Sequence, residues 1–457
     1  MLLYESIFFV RDNFNKITLV KKLMGETFAG GKHITGYKEL SKDKQIIEMP
    51  IPSRVVIPLS QHTGIICEPM VKESQLVKVG AKIGQGQGLI SSSVHASISG
   101  KVTKITDYNH PVLGVCKAVI IDSDGQDELE PGVGMTLTRN IKLFSKEQLL
   151  EIIKNAGIVG LGGAAFPTQV KLNPPKPVEF LIINGAECEP YLSCDFRIML
   201  ERPQDILRGA SVVQQILNVR KVLIGVEDDK QEAIKALRNK IAELKLDFAV
   251  VGLKSKYPQG AEKQLIKALL DREVPPGKLP FDAGTVVLNV GTVLAVGEAV
   301  FLNKPLYERV VTVTGKILKN PANLKVRLGT RFSELINFCG GIKGQCEKII
   351  MGGPMMGIAQ CTDDVPVIKG TSGILLLSKS QTAGFAEQPC IRCGRCVDIC
   401  PMRMLPYLLS QYGQTGHYQK ADGLNVKDCM ECGACTYICP AKRRILEHIR
   451  LLKKVLK

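Results

Sequence analysis

Eight cysteines near the C-terminal end stand at spacings that suit metal chemistry. CIRCGRCVDICP and CMECGACTYICP share the pattern C-x2-C-x2-C-x3-C-P, with Cys390, Cys393, Cys396 and Cys400 in the first and Cys429, Cys432, Cys435 and Cys439 in the second. Three thiolates, each separated by two residues, wrap one corner of an iron–sulfur cube. The fourth, after three intervening residues, leaves the loop and ligates the other cluster of a two-cluster fold. The expected ligand sets are therefore crossed. Cys390, Cys393, Cys396 and Cys439 surround one [4Fe–4S] cluster, and Cys429, Cys432, Cys435 and Cys400 the second. Zinc favours paired C-x2-C knuckles in closed tetrahedral sites and leaves the third cysteine, the x3 step and the prolines unexplained. Two such clusters exchange single electrons and by themselves do nothing else, so something must feed them.

A candidate lies in GIVGLGGAAFPTQVK (157–171), which contains G-x-G-x-x-A at Gly160, Gly162 and Ala165. A dinucleotide-binding Rossmann turn needs a strand before its first glycine and a helix after its last. Here Ser145 and Gln148 form a capping box ahead of Leu149, Leu150, Ile152 and Ile153. Gly157 suits the end of that helix, and Phe166-Pro167-Thr168 follows the loop, so the Rossmann context fails. The apolar run FLIIN (180–184) reads as a buried strand ending directly in NGAECEP (184–190). Ligands of open α/β sheets bind outside the carboxyl ends of strands. A glycine loop, Lys171 and two acids there suit a flat, phosphate-bearing cofactor. Backbone N–H groups and Lys171 would meet the phosphate, and Glu187 and Glu189 would meet hydroxyls or ring edges. A plain turn between helix and sheet, with solvated acids, has the same signature.

Three further segments must position these sites. KVLIGVE and FAVVGL, separated by the helical run KQEAIKALRNKIAELK, continue an alternation of strands and helices that predicts a parallel sheet. From about Thr27 to Gly134, VKVGAKIGQGQGLI and VHASISGKVTKI read as tight hairpins. They resemble the barrel-sandwich hybrid of lipoyl and biotinyl carriers. Ser91-Ser92-Ser93 stands where those carriers present a modified lysine, which leaves docking or scaffolding as the role. Short strands return around Val310 to Met356 with one helix, FSELINFCGG, as in a β-grasp insert. The expected division is an N-terminal extension over 1–26, with Met24 as an alternative start, then a barrel-sandwich domain over 27–135. An α/β cofactor domain follows over 145–305, a β-grasp domain over 306–380, and a double-cluster ferredoxin-type helical domain with a basic terminal helix over 385–457.

The composition agrees with a multidomain soluble protein: 457 residues, 45% apolar and 23% charged. The absence of Trp and the scarcity of aromatics argue against base-stacking platforms, and no nucleic-acid partner is expected. Sixty basic residues against 44 acidic give a net charge of +16, which suits solubility, an anionic surface or an acidic partner. No run is long and apolar enough to span a bilayer; AGTVVLNVGTVLAVG is too short. The N-terminal MLLYESIFFV lacks the basic start of a signal peptide. Fifteen cysteines without an export signal imply a reducing compartment. The tail KRRILEHIRLLKKVLK places Ile445, Ile449, Leu452 and Leu456 at helical spacing, as expected of a helix packed on its own domain, with membrane or partner docking as the alternative.

The frame G-x-G-G-A-x-F-P-T-x-x-K (160–171) resembles the flavin and nicotinamide loop of the NADH-oxidising flavoprotein subunit of respiratory complex I. N-x-x-E-x-E-P (184–190), YPQGAEKQLI (257–266) and LNVGT (288–292) look like that family's other flavin segments. With the β-domain in front and two ferredoxin repeats behind, the sequence resembles the family of C subunits of the Rnf ion-translocating electron transport complex. RVVTVTGKI and KIIMGGPMMG look like its soluble-ligand-binding β-grasp segment. The resemblance implies a Rossmann-like α/β flavin domain that binds FMN, reacts with NAD(H) and feeds two [4Fe–4S] clusters. Gly160, Gly162, Gly163 and Lys171 would line the flavin phosphate and ring. Phe166 would face the nicotinamide. Asn184, Glu187, Tyr257, Glu262, Asn289 and Thr292 would complete the pocket, with Glu189 near NAD(H). It further implies a peripheral subunit on the cytoplasmic side of the cell membrane, partnered by other proteins of the complex and, through one of them, by ferredoxin. No catalytic side chain is implied. Three positions depart from the complex I pattern: Leu161 for Arg, Ala165 for Gly and Ala186 for Asp. Leu161 and Ala186 suit the Rnf branch, whereas the methyl of Ala165 is expected to crowd the cofactor. An iron–sulfur relay or docking subunit with a non-functional flavin site, and a soluble NADH-dependent reductase of the cobalamin reductase type, remain the alternatives.

Overall fold

The computed structural model describes residues 27–137, 140–382, 384 and 386–456. The extension expected over 1–26, and the alternative start at Met24, lie outside the described residues.

The β-domain is two small sheets face to face. Arg54–Pro58, Gly114–Ser123, Gly100–His110 and Leu76–Val77 form one, and Glu68–Pro69, Lys82–Gln85 and Val94–His95 the other. Val55, Ile57, Ile83, Ile98, Val102, Val119 and Ile121 fill the space between them, as alternating strands that bury one face require. The chain before Arg54 lies outside this barrel. Lys32 bridges to Tyr257 of the next domain, and Ile47–Glu48 adds an edge strand to the β-grasp sheet by pairing with Leu324 and Lys325. Ser91, Ser92 and Ser93 are buried, pressed against the flank of the glycine loop rather than offered at a free tip. That agrees with a scaffolding role.

The central domain carries four parallel strands in the order Phe248–Leu253, Lys221–Glu227, Phe180–Asn184, Thr285–Asn289. The chain steps outward from Phe180–Asn184 and then returns to its other side. The strand order therefore reverses between Asn184 and Asn289, which are direct register partners. Such a reversal opens the crevice in which α/β sheets hold ligands. Helices Pro203–Leu217 and Val290–Leu302 cross behind it with backbones touching: a Cβ on Gly209 would lie 1.9 Å from the Val293 carbonyl oxygen.

The β-grasp domain is a six-stranded mixed sheet backed by the helix Phe332–Phe338. In the C-terminal domain Ile445, Ile449 and Leu452 of the helix Ile445–Val455 bury against Leu409, Ala421 and Val426, with Leu456 partly buried beside them. The basic helix thus packs on its own domain. Arg450 and Lys453 pair with Glu431, and Lys453 also donates to the Cys429 carbonyl at 2.9 Å.

Candidate cofactor sites

The glycine loop is a closed bend between the capped helix Lys146–Asn155 and the short helix Thr168–Lys171. Gly160 N–H donates to Phe166 O at 2.9 Å, Ala165 N–H to Gly160 O at 3.0 Å, and Thr168 N–H to Ile158 O at 3.0 Å. Thr292, in the first turn of the helix Val290–Leu302, anchors it, accepting from Leu161 N–H at 2.8 Å. Asn289 caps the helix Val290–Leu302 by accepting from Gly291 N–H at 2.8 Å. A Cβ on Gly162 would meet the Asn289 side chain at 3.3 Å. Gly160, Gly162, Thr292 and Asn289 are thereby brought together. Asn184 joins them through its register with Asn289 and donates to Gly260 O at 2.7 Å.

The loop's exposed rim is Gly162, Gly163 and Ala164. Gly163 sits at φ +108°, and nothing lies within 4 Å of where its Cβ would be. Among the described residues no partner is found for the amides of these three residues. An exposed rim with three successive unpartnered N–H groups is the kind of backbone that receives an anion, so the loop fits a phosphate-bearing cofactor. Phe166 is partly exposed beside it, and Lys171 pairs with Glu262. Ala165 adopts φ +48°, a region that costs a Cβ-bearing residue about 1 kcal/mol or more. Its methyl packs toward Gly370, 3.6 Å from where that residue's Cβ would be. The methyl thus has a neighbour in the β-grasp domain.

The two acids are engaged within the fold. Glu187 accepts from Asp195 N–H at 2.7 Å and Phe196 N–H at 3.3 Å, at the start of the helix Cys194–Glu201. Asp195 in turn accepts from the Asn289 amide at 2.6 Å, and burial together with the Glu187 charge raises its pKa. Glu189 accepts from the Met355 and Met356 amides at 3.1 and 2.7 Å, and burial pushes its carboxyl up to about 7. Gly353 is required opposite it, since a Cβ there would meet Glu189 Oε2 at 2.2 Å. Lys38 escapes sequence reasoning. Its ammonium donates to the carbonyls of Glu187, Glu189 and Leu192, yet the lysine lies some 150 residues away in a segment with no motif.

The cysteines form two separate groups. Cys400 lines one cavity with Cys429, Cys432 and Cys435. Cys439 lines another with Cys390, Cys393 and Cys396. All eight thiols are free of disulfides, so each cavity offers four soft donors, which fits an iron–sulfur cube. Tyr257 belongs to this side of the molecule: its hydroxyl donates to the Cys432 carbonyl at 2.7 Å. Gln264 donates to Pro401 O at 3.2 Å, and Gly31 N–H to Ile399 O at 2.8 Å. The first repeat faces outward. Cys390 and Cys393 are exposed, and Ile391 between them is 67% exposed.

Four family descriptions match consecutive parts of the chain: the RnfC barrel sandwich hybrid domain at 26–126, the Nuo51 FMN-binding domain at 153–298, the SLBB domain at 310–359 and a 4Fe-4S dicluster domain at 384–440. The C subunit of the proton-translocating ferredoxin:NAD(+) oxidoreductase complex of Clostridium ljungdahlii is 49% identical over 94% of both chains. The C subunit of the Na(+)-translocating ferredoxin:NAD(+) oxidoreductase complex of Acetobacterium woodii is 43% identical over 94% of this chain and 96% of its own. The C subunit of the ion-translocating oxidoreductase complex of Rhodobacter capsulatus is 38% identical over 88% of this chain and 78% of its own.

Proposed function

This chain belongs to the RnfC family, the C subunits of ion-translocating ferredoxin:NAD(+) oxidoreductase complexes, and we propose from that premise how its residues carry the work of an electron-transfer subunit. When bound, FMN would supply hydride exchange with NAD(H) and one-electron exchange with a cluster. The chain's own residues bind, orient and shield. The amides of Gly162, Gly163 and Ala164 with Lys171 hold the phosphate. Gly160, Asn184, Asn289 and Thr292 shape the crevice, and Phe166 covers the nicotinamide side. Glu187 acts from behind, by fixing Asp195 and through it Asn289. The four cysteines of each cavity hold one [4Fe–4S] cluster in the crossed arrangement.

The observation that carries this reading is the span of one segment. Within residues 257–264, Tyr257 reaches the Cys432 carbonyl while Gly260 accepts from Asn184 at the flavin crevice. The cluster of Cys400, Cys429, Cys432 and Cys435 is accordingly the inner one, beside the flavin domain. The cluster of Cys390, Cys393, Cys396 and Cys439 is the outer one, exposed to a partner protein. No helix among the described residues is long and apolar enough to cross a membrane, consistent with a peripheral subunit; its place on the cytoplasmic face, and its receipt of ferredoxin's electrons through a partner, are part of the proposal and rest on the family.

Anaerobic purification followed by flavin and iron quantitation tests the reading. The expected result is about one FMN and about eight iron atoms per chain, with the flavin bleached by NADH. Full iron without flavin would leave only a relay. A narrower test is Tyr257→Phe. It leaves a buried carbonyl without its donor, so thermal loss of cluster absorbance should come earlier, at a cost of about 1 kcal/mol, with flavin content unchanged. An unchanged transition would mean that Tyr257 does not tie the inner cluster to the flavin domain.

A further inference from the structure

The carbonyl groups of the glycine loop are held from behind by two other domains. From the barrel-sandwich domain, Thr63 donates its hydroxyl to Ala164 O at 2.9 Å and its N–H to Ala165 O at 3.0 Å. From the β-grasp side, Lys369 Nζ donates to Gly157 O at 2.7 Å and to Ser93 O at 2.6 Å. Arg309 donates to Leu161 O at 3.3 Å and also to the Lys369 carbonyl. Lys369 is fully buried and Arg309 nearly so. Every hydrogen bond given by either cation among the described residues goes to a backbone carbonyl and none to a carboxylate. Long charged side chains are seldom buried unless their donors are used; here they go to backbone carbonyls, with Gly157 O and Leu161 O in the loop and Ser93 O, Val310 O and Lys369 O in the two domains that flank it. The packing leaves no slack, since a Cβ on Gly157 would meet Ser93 O at 2.4 Å and Lys369 Nζ at 2.8 Å.

A peptide unit whose carbonyl is fixed on one side turns its N–H to the other. Leu161 O shares its peptide unit with the free N–H of Gly162, and Arg309 takes that carbonyl; Ala164 O and Ala165 O, taken by Thr63, fix the units that directly follow the free amides of Gly163 and Ala164, and Lys369 fixes the unit that opens the loop. We propose that Thr63, Lys369 and Arg309 are positioning residues that fix the glycine loop on both sides of the free amides of Gly162, Gly163 and Ala164, so that the loop keeps the shape that receives the flavin phosphate, and that this is the work of the barrel-sandwich and β-grasp domains at this site. The inference rests on the flavin reading above and extends it to residues outside the flavin domain. Burial pushes the Lys369 amine down to about 7, and burial with the Lys369 charge pushes His62 down to about 4. An amine donates both hydrogen bonds in either protonation state.

The test is a fluorescence-quenching titration of FMN into the flavin-stripped full chain, with iron content and the midpoint potential of bound FMN as independent readouts. Thr63 is exposed, so Thr63→Val keeps the fold while removing one donor. It should weaken FMN binding by about 3- to 10-fold and shift the flavin potential, with iron unchanged, and Thr63→Ser should restore both. Lys369→Met should weaken binding by tenfold or more. Ser97→Ala removes a hydrogen bond to Leu328 O on the same domain seam, away from the loop, and should change neither readout. Wild-type affinity and potential in Thr63→Val would overturn the proposal whether or not Lys369→Met folds, as would equal weakening in Ser97→Ala. Failure of the wild-type chain to bind FMN would instead sink the flavin reading itself.

Discussion

Cys400→Ser is expected to leave about half of the iron, and the half that remains should be the cluster of the first repeat. Cys400 lies in CIRCGRCVDICP, so assignment by sequence neighbourhood predicts loss of the first-repeat cluster. The cavities say otherwise: Cys400 faces Cys429, Cys432 and Cys435, whereas Cys390, Cys393 and Cys396 face Cys439. A cube that loses one of four thiolates exposes an iron to solvent and loses the hydrogen bond that Met404 N–H donates to the Cys400 sulfur at 3.4 Å. Iron should therefore fall from about eight to about four atoms per chain, and one of two EPR signals should disappear. With the inner cluster beside the flavin domain, as proposed, NADH should still bleach the flavin while reduction of the remaining cluster slows sharply. Cys439→Ser is the mirror experiment: it removes the outer cluster and leaves the inner one reducible. Loss of the first-repeat cluster in Cys400→Ser would refute crossed ligation and, with it, the inner and outer order.

The contrast between the cysteines and the acids shows what the sequence carries. The cysteine pattern is local, with every spacing within one short loop, so type and interval alone specify the chemistry. The capping box at Ser145 and Gln148 is equally local and is present as expected. The two strand ends are legible because buried parallel strands are apolar runs, and the polar residues ending them, Asn184 and Asn289, share the crevice. Glu187 and Glu189 read, from sequence, as groups facing the cofactor. Their carboxylates instead hold backbone amides of a neighbouring helix and of the 353–356 turn. Nothing local announces that, since the turn is 166 residues further on. Thr63, Lys369 and Arg309 are invisible in the sequence for the same reason: they reach the loop across 101, 212 and 148 residues. An isolated Thr, Lys or Arg acquires meaning only once the domains are docked. The barrel boundary shows the same effect. The segment before Arg54 continues into the barrel in the chain but packs on the central and β-grasp domains.

Lys171 and Glu262 lead to the second large effect, and here the two possible roles of Glu262 predict opposite signs. Lys171→Met should weaken FMN binding by roughly 10- to 100-fold, the span of one charge-assisted hydrogen bond of about 1.5–3 kcal/mol. In the free protein the Lys171 ammonium is paired with Glu262, with both side chains partly exposed. An incoming phosphate must therefore share that ammonium with a carboxylate of its own sign. Removing the carboxylate charge with Glu262→Gln should consequently tighten FMN binding at low salt. The gain should fade as added salt screens the repulsion between partly exposed charges. If Glu262 instead completes the flavin pocket, as the resemblance implies, and accepts a hydrogen bond there, the same substitution weakens binding and salt does little to the difference. Titrations of Glu262→Gln at low and high salt separate the two. The double variant Lys171→Met/Glu262→Gln then measures their coupling: with the ammonium gone, the effect of Glu262→Gln on affinity should shrink if the pair acts as a unit and persist if the carboxylate touches the cofactor on its own.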